Sequence, residues 1–334
     1  MTARLDVVVI VNANARRFVE RRGLLVDLDR LLEGRAILHV TRTRRELTLA
    51  AEDCRARGAR VVVLCGGDGT YGAGATALVD AFAPAAPPLI ALAPGGTVGT
   101  IARALAPSPG GDLGSAISRI VHGAVSGAHA VAEVPTLSVT SRSHAADRRR
   151  IGFVFGTGLV ASFFELYDPS AIDRPDGPSS GGGIPAAAKI VARVFAESFV
   201  GGPLARRILE PMPCAVEIDG ARLPWPASSL VVASVLRDLG LGMRVTHRGS
   251  EDPERPHVVV SGLPPRSLGP RLPRVLRGVP IGDPGEPHFD GLAARVVVDF
   301  GEARGRYVID GDLDAAEAVV VEAGPRLRLA VSPT

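Results

Sequence analysis

Residues 61–70 read Val-Val-Val-Leu-Cys-Gly-Gly-Asp-Gly-Thr, and no other stretch of the 334-residue chain restricts its fold as tightly. Val61–Cys65 is a continuous apolar run, the pattern of a strand covered on both faces. Small residues from Tyr71 to Val79 then suit a helix packed close to that strand. Gly66, Gly67 and Gly69 let the chain turn sharply between the two and bring backbone N–H groups to one side. With the positive end of the helix they make an anion site. Thr70 adds a hydroxyl for a phosphate or for a helix cap. Asp68 lies inside this site, where an acid is unfavourable unless a metal or a reacting hydroxyl is also present. The loop therefore points to chemistry on a phosphate as well as binding of one. Two plainer readings stand beside it: a tight strand-to-helix turn, and Asp68 as the N-cap of the helix that follows.

The flanking sequence repeats the unit. Strands are expected at Leu5–Asn12, Ala36–Val40, Val61–Cys65 and Leu89–Leu92. Helices are expected at Val19–Leu32, Arg44–Arg57, Tyr71–Val79, Thr100–Leu105 and Leu113–His122. Alternation of buried strands with helices predicts a parallel sheet covered on both faces, with ligands beyond the carboxyl ends of the strands. Asn12-Ala13-Asn14-Ala15, the Gly66–Thr70 loop and Pro94–Thr100 all fall at those ends. Asn12 either bonds a ligand or ends its strand. Gly96 and Thr97 form either a second phosphate-side loop or an ordinary helix start. Arg103, on the helix that follows, is a phosphate ligand or a solvated residue.

After about Ala130 the pattern changes. Short strands are expected at Pro135–Thr140, Ile151–Gly156, Ala215–Ile218, Leu230–Val235, His257–Val260 and Ala294–Phe300, separated by Pro, Gly and charge, which predicts a β-sandwich. One helix, Pro185–Val200, interrupts them, with Ile190, Val191, Val194, Phe195 and Phe199 on one face. The segment 173–183 before it reads as a flexible loop.

Hydrophobic residues make up 46% of the chain, enough for two real cores. The net charge is +3 and the pI about 9.0, yet every basic residue except Lys189 is arginine. The arginines are scattered, and aromatics are only 4%. Without a stacking platform the basic charge does not indicate nucleic acid. Cys54, Cys65 and Cys214 form no C-x-x-C pair and fit a reducing compartment. Seven histidines show no metal-ligand spacing. The chain enters a strand without a signal peptide, and no apolar run approaches the ~20 residues that span a bilayer.

Several segments together resemble the diacylglycerol kinase catalytic-domain superfamily, which includes bacterial lipid kinases, sphingosine kinases and ceramide kinases. The Gly66–Thr70 loop matches its strongest signature. Pro94–Arg103 is similar to P-x-G-T-x-N-D-[FL]-A-R, Val11-Asn12 to the V-N-P of its first strand, and Val308–Asp312 to its C-terminal V-D-G-E. The chain departs from the pattern at Ala13 and Arg16, at Gly99-Thr100 in place of Asn-Asp, and at Asp312 in place of Glu. Ser162 stands where sphingosine and ceramide kinases place an Asp, and Ser234–Asp238 replaces an Asn-Gly-rich segment.

The resemblance implies an NAD kinase/diacylglycerol kinase-like architecture: an α/β nucleotide-binding domain (residues 1–130), a β-sandwich lipid-substrate domain (131–304), and a C-terminal segment (about 305–334) packing back near the first. It implies a lipid kinase that uses ATP and Mg²⁺ to phosphorylate a hydroxyl of a diacylglycerol- or ceramide-like acceptor. Asp68 and Asp312 would be its catalytic and metal-binding acids. Asn12, Gly66, Gly67, Gly69, Thr70, Gly96, Thr97 and Arg103 would bind nucleotide, and Ser162 would meet the substrate. The Asp310-Gly311-Asp312 turn would otherwise be a simple hairpin turn. Expected partners are a nucleotide and a lipid at a membrane surface, with a homodimer left open and nucleic acid excluded. The expected location is the cytoplasm, with peripheral membrane contact left open. The alternatives are an NAD kinase-type enzyme and a non-catalytic nucleotide or lipid sensor.

Overall fold

The computed structural model describes residues 6–21, 23–96, 99–106, 113–144, 146–169 and 182–331. They divide into two units, one holding the described residues up to Val134 and from Arg326 onward, the other those between Pro135 and Pro325.

In the first unit, β1 (Val7–Asn12), β2 (Ile37–Thr41), β3 (Val61–Gly66) and β4 (Leu89–Pro94) pair in parallel in the order β2-β1-β3-β4. Alternate residues face opposite layers. Val7, Val9, Val11, Val63 and Ala91 share a core with Leu28 and Leu32 of α2 (Leu24–Leu32), and with Leu113, Ile117 and Val121 of α6 (Leu113–Ser126). α3 (Arg44–Arg57) and α4 (Asp68–Phe82) pack together; α3 begins in a Thr43/Glu46 capping box and ends at left-handed Gly58. A Cβ on Gly74 of α4 would lie 2.6 Å from Leu64 Cδ1, so glycine sets how closely α4 approaches β3.

The helix expected at Val19–Leu32 is two helices, α1 (Arg16–Glu20) and α2, because the chain leaves helical geometry at Arg21 and restarts at Gly23. Helix α4 starts three residues earlier than expected, at Asp68. The sheet is also wider than expected. β5 (Ala130–Val134) closes it, and Leu327–Val331 inserts between β4 and β5, parallel to the first and antiparallel to the second.

The second unit contains two six-stranded antiparallel sheets, the antiparallel domain expected. One is built from β6 (Leu137–Arg142), β7 (Arg148–Gly152), β10 (Ala215–Ile218), β11 (Ala221–Arg222), β16 (Arg295–Asp299) and β19 (Ala318–Ala323). The other comprises β8 (Val154–Gly158), β13 (Leu230–Ser234), β14 (His257–Ser261), β15 (His288–Leu292), β17 (Gly305–Ile309) and β18 (Asp312–Ala316). β9 (Met212–Pro213) and β12 (Ala227–Ser228) form a separate ribbon. β17 to β19 remain in these sheets, so the C-terminal return to the first unit narrows to Leu327–Val331, now β20. The first unit in turn extends through β5 to Val134.

The strand expected at Ile151–Gly156 is split at Phe153 between the two sheets. There the N–H groups of Phe153 and Val154 donate to the Asp310 carboxylate, at 2.9 Å each to Oδ1. α7 (Leu159–Tyr167), α8 (Gly183–Val200), α9 (Pro203–Leu209), α10 (Pro265–Leu268) and α11 (Leu272–Arg277) join the same unit, against the single helix expected. On α8 the buried residues are Gly183, Ala187, Val194 and Ser198, while Phe199, expected inside, is 58% exposed. Its place in the packing goes to Ser198, which meets Gly269 so closely that a Cβ there would fall 2.1 Å from Ser198 Cβ.

Candidate active site

The pairing registers Val11 to Cys65 and Gly66 to Pro94 bring the carboxyl ends of β1, β3 and β4 to one edge of the first unit's sheet. The three expected loops meet there and are bonded to one another. Asn12 Nδ2 donates to Thr70 Oγ1 at 3.0 Å, and Asn12 Oδ1 accepts from Asn14 N at 2.9 Å. Gly95 N donates to Gly66 O at 2.7 Å, and Arg17 N of α1 donates to Gly95 O at 3.3 Å. An added Cβ on Gly96 would lie 2.4 Å from Gly67 Cα, and one on Gly66 2.3 Å from Thr70 Oγ1. Gly96 is required by the packing of loop on loop, and Gly66 by the return of its own loop into the first turn of α4.

Asp68 does not cap its own helix. Its carboxylate caps another: Oδ2 accepts from Thr100 N at 2.9 Å, and Oδ1 from Ile101 N at 3.0 Å, at the start of α5 (Thr100–Leu105). The acid thereby fixes the helix start that follows the Pro94–Gly96 loop. Asp68 keeps some surface exposure, but protein closes around most of it. Burial pushes its pKa above the ordinary carboxylate value, against the pull of the two amides and the Arg103 charge. Tyr71, buried beside it, donates to Ala93 O at 3.0 Å and is raised in pKa, first by burial and then by the Asp68 charge. Arg103 is exposed, with Nε 3.3 Å from Gly99 O. Thr97 lies outside the described residues.

Sequence reasoning missed Thr100 and Ile101 as partners of Asp68, because the contact spans more than thirty residues and rests mainly on their backbone. One departure from the family pattern now has a reason. Gly99 is left-handed (φ 61°) at the N-cap of α5, a conformation that Asn also adopts more readily than most residues. Glycine in place of asparagine keeps that turn.

Ser162 and Asp312 belong to the second unit. Ser162 is on α7, which packs against β8, β17 and β18. Phe164 of the same helix shares a core with Val308 and Leu313 of the β17–β18 hairpin. Asp310 (φ 52°) and Gly311 (φ 93°) form its two-residue turn, a type I′ pattern. Asp310 is buried and holds Phe153 and Val154, whereas Asp312 is the first residue of β18 and half-buried.

The first turn of α4 fits a phosphate. This 15-residue helix presents its N-terminal amides next to Gly67 and Gly69, which carry no side chain. The donor set also fits Mg²⁺, which is held by one or two carboxylates together with phosphate oxygens. A carboxylate offers about four lone-pair positions, and the amides of Thr100 and Ile101 take two of those on Asp68.

An α/β unit with a phosphate-type helix start, followed by an antiparallel unit, defines a protein of the nucleotide- and lipid-kinase class. Residues 6–132 match the family model of the diacylglycerol kinase catalytic domain, and this part of the chain is similar to that family. The crystal structure of a diacylglycerol kinase from Bacillus anthracis str. Sterne is similar over 98% of this chain and 97% of its own, with a TM-score of 0.59 and 14% identity. Two further structures from the same strain have TM-scores of 0.59 and 0.61 at 16% and 15% identity; they cover 98% of this chain, and 96% and 97% of theirs. At such identities the likeness establishes the fold. A search of curated protein sequences gave no match.

Proposed function

We propose that this protein is a lipid kinase that transfers the γ-phosphoryl group of ATP, with Mg²⁺, to a hydroxyl of a diacylglycerol- or ceramide-like acceptor. The observation that carries the reading is the bonded meeting of three loops at one sheet edge, with Asp68 anchoring the start of α5. Phosphoryl transfer depends mainly on positioning and charge neutralisation, and this arrangement offers both. The amides of the first α4 turn receive phosphate oxygens. Asn12 and Thr70 hold the first and second loops in register. Asp68 is the residue that would hold Mg²⁺, which supplies charge neutralisation when bound. Arg103 adds a cation on the helix that Asp68 anchors. In the second unit, Asp312 stands at the family's conserved-motif acid and is proposed as a further acid of the reaction.

A neutral acceptor is favoured because Ser162 brings no charge to meet an amine. Among the described residues no helix is long and apolar enough to cross a membrane. Exposed Phe199 and Val200 at the end of α8 support contact from the surface side of a bilayer.

The test incubates purified protein with radiolabelled ATP, Mg²⁺ and, separately, diacylglycerol, ceramide, sphingosine and NAD. Label in diacylglycerol or ceramide supports the proposal. Label in NAD alone makes the protein an NAD kinase, and preference for sphingosine overturns the neutral-acceptor assignment. Retained activity in Asp312→Ala removes that residue from the reaction.

A further inference from the structure

Three imidazoles and one carboxylate, from two separate stretches of the sequence, gather in the second unit. His257 on β14 and Asp290 on β15 share one face of the sheet, since Val259 pairs with Asp290 and His257 with Leu292. His288, two residues before Asp290, lies on the same face. His247 comes from the connection between β13 and β14. His247, His257 and Asp290 offer donor atoms that all lie within 4.8 Å of one another, and His288 Nε2 is 3.8 Å from Asp290 Oδ2. The neighbouring core is apolar, with Val232, Val259 and Leu263.

The hydrogen bonds divide the four residues into two kinds. His257 is fully buried with both nitrogens engaged: Nδ1 accepts from Arg248 N at 3.3 Å, and Nε2 donates to Asp290 Oδ1 at 2.8 Å. His247 Nδ1 is buried without a hydrogen-bond partner, and the His288 ring, 8% exposed, makes no well-aligned hydrogen bond and has only the Val260 backbone beside it. Orphaned buried nitrogens cost free energy unless something satisfies them. Gly282 clears the space that His288 occupies, since a Cβ there would lie 2.2 Å from its ring.

We propose that this cluster is a structural site for one zinc-type divalent cation. Asp290, His247 and His288 are its ligands, and His257 is a positioning residue that fixes the Asp290 carboxylate. Imidazole and carboxylate donors suit zinc. Zn–N and Zn–O bonds of about 2.0–2.2 Å place tetrahedral donors roughly 3.3 Å apart; the His288–Asp290 pair stands at 3.8 Å and His247 within 4.8 Å of Asp290, so both imidazoles must move in on the carboxylate for the cation to bind. A ligating carboxylate held by a hydrogen bond from a second residue is the usual outer-shell arrangement. His247, the half-buried member, leaves the cation a way in. The connection from Val235 to Pro256, which has no helix or strand, is tied to β14 by Arg248 N and His257 Nδ1, and the cation would add a second tie, from His247 to β15.

The test uses untagged full-length protein purified without chelator. We expect about one equivalent of zinc by elemental analysis. Cobalt(II) should give the intense visible bands of a four-coordinate site. Zinc at a hundredfold excess over its dissociation constant should raise Tm by about 5–10 °C relative to chelator-treated protein. His247→Ala, which leaves the apolar core intact, should abolish cobalt binding. His257→Gln should retain the stoichiometry and bind about 10–100-fold more weakly. Wild-type protein without bound zinc, without cobalt bands and without a Tm response overturns the site, independently of whether any variant folds. So does His247→Ala that binds as wild type does. Loss of binding in His257→Gln with normal binding in His288→Gln overturns the assignment of ligands.

Discussion

At the scale of single residues, Asp68 shows how one side chain can serve both packing and chemistry. Its carboxylate accepts two backbone amides of α5. Asparagine has one acceptor oxygen, so its NH₂ group would face an N–H and leave it unpaired, at a cost of about 1–3 kcal/mol. We expect Asp68→Asn to lower kinase activity at least about 100-fold, with the far-ultraviolet circular dichroism spectrum unchanged. Activity within a few-fold of wild type would reduce Asp68 to an anchor for α5. Gly96→Ala should separate the two glycine loops, because its Cβ would meet Gly67 Cα at 2.4 Å. The expected results are a loss of about 1–3 kcal/mol in urea unfolding and at least tenfold weaker nucleotide binding; unchanged binding would show that the loops do not need this approach.

Glu286 offers a test by pH. The Arg271 guanidinium grips it from two sides, Nη2 lying 2.7 Å from Oε1, and holds its pKa down from 4.5 to about 2. A depressed carboxylate pKa stabilises the fold above the unfolded value and ceases to do so as pH falls through the folded one. The stability difference between wild type and Glu286→Gln should therefore be constant above about pH 5 and shrink between 4.5 and 2, as followed by denaturant unfolding. A difference that does not change with pH would mean the pair adds nothing.

Among the elements, the β17–β18 hairpin does more than its sequence announces. Asp310-Gly311 reads as a turn signal, and a type I′ turn forms. Yet the Asp310 carboxylate is also the group that lets the chain leave β7 and enter β8, by receiving Phe153 N and Val154 N. Asp310→Ala should cost about 1–3 kcal/mol, since it strands those amides. Asp310→Asn should recover most of that loss, because asparagine tolerates the left-handed turn and keeps an acceptor. Equal stability of all three proteins in urea would contradict this role. Element spans that depend on local pattern were legible in advance: Arg44–Arg57, with its capping box, and Thr100–Leu105 agree with the sequence to the residue. The exposed Phe199 was misjudged because an apolar stripe shows which face can be buried, and the partner helices decide which face is.

For the molecule as a whole, the C-terminal strand is decisive. β20 lies between β4 and β5, so removing residues 326–334 opens the first unit's sheet and leaves β5 without its neighbour. We expect this truncation to abolish kinase activity and to strip hydrogen-exchange protection from β4 and β5; full activity would show that β20 is dispensable. The sequence by itself determined the α/β and antiparallel units, the three loops at one sheet edge and the kinship they carry. Those features follow from hydrophobic period, glycine geometry and contiguous motifs, which act over a few residues. Only the tertiary structure decided that Asp68 caps α5, that β20 completes the first sheet, and that three imidazoles meet around Asp290. The anchoring of α5, the pairing of β20 and the approach of His247 and His257 to Asp290 all join residues at least thirty positions apart, and no local pattern encodes which partner a buried polar group or an unpaired strand edge will find.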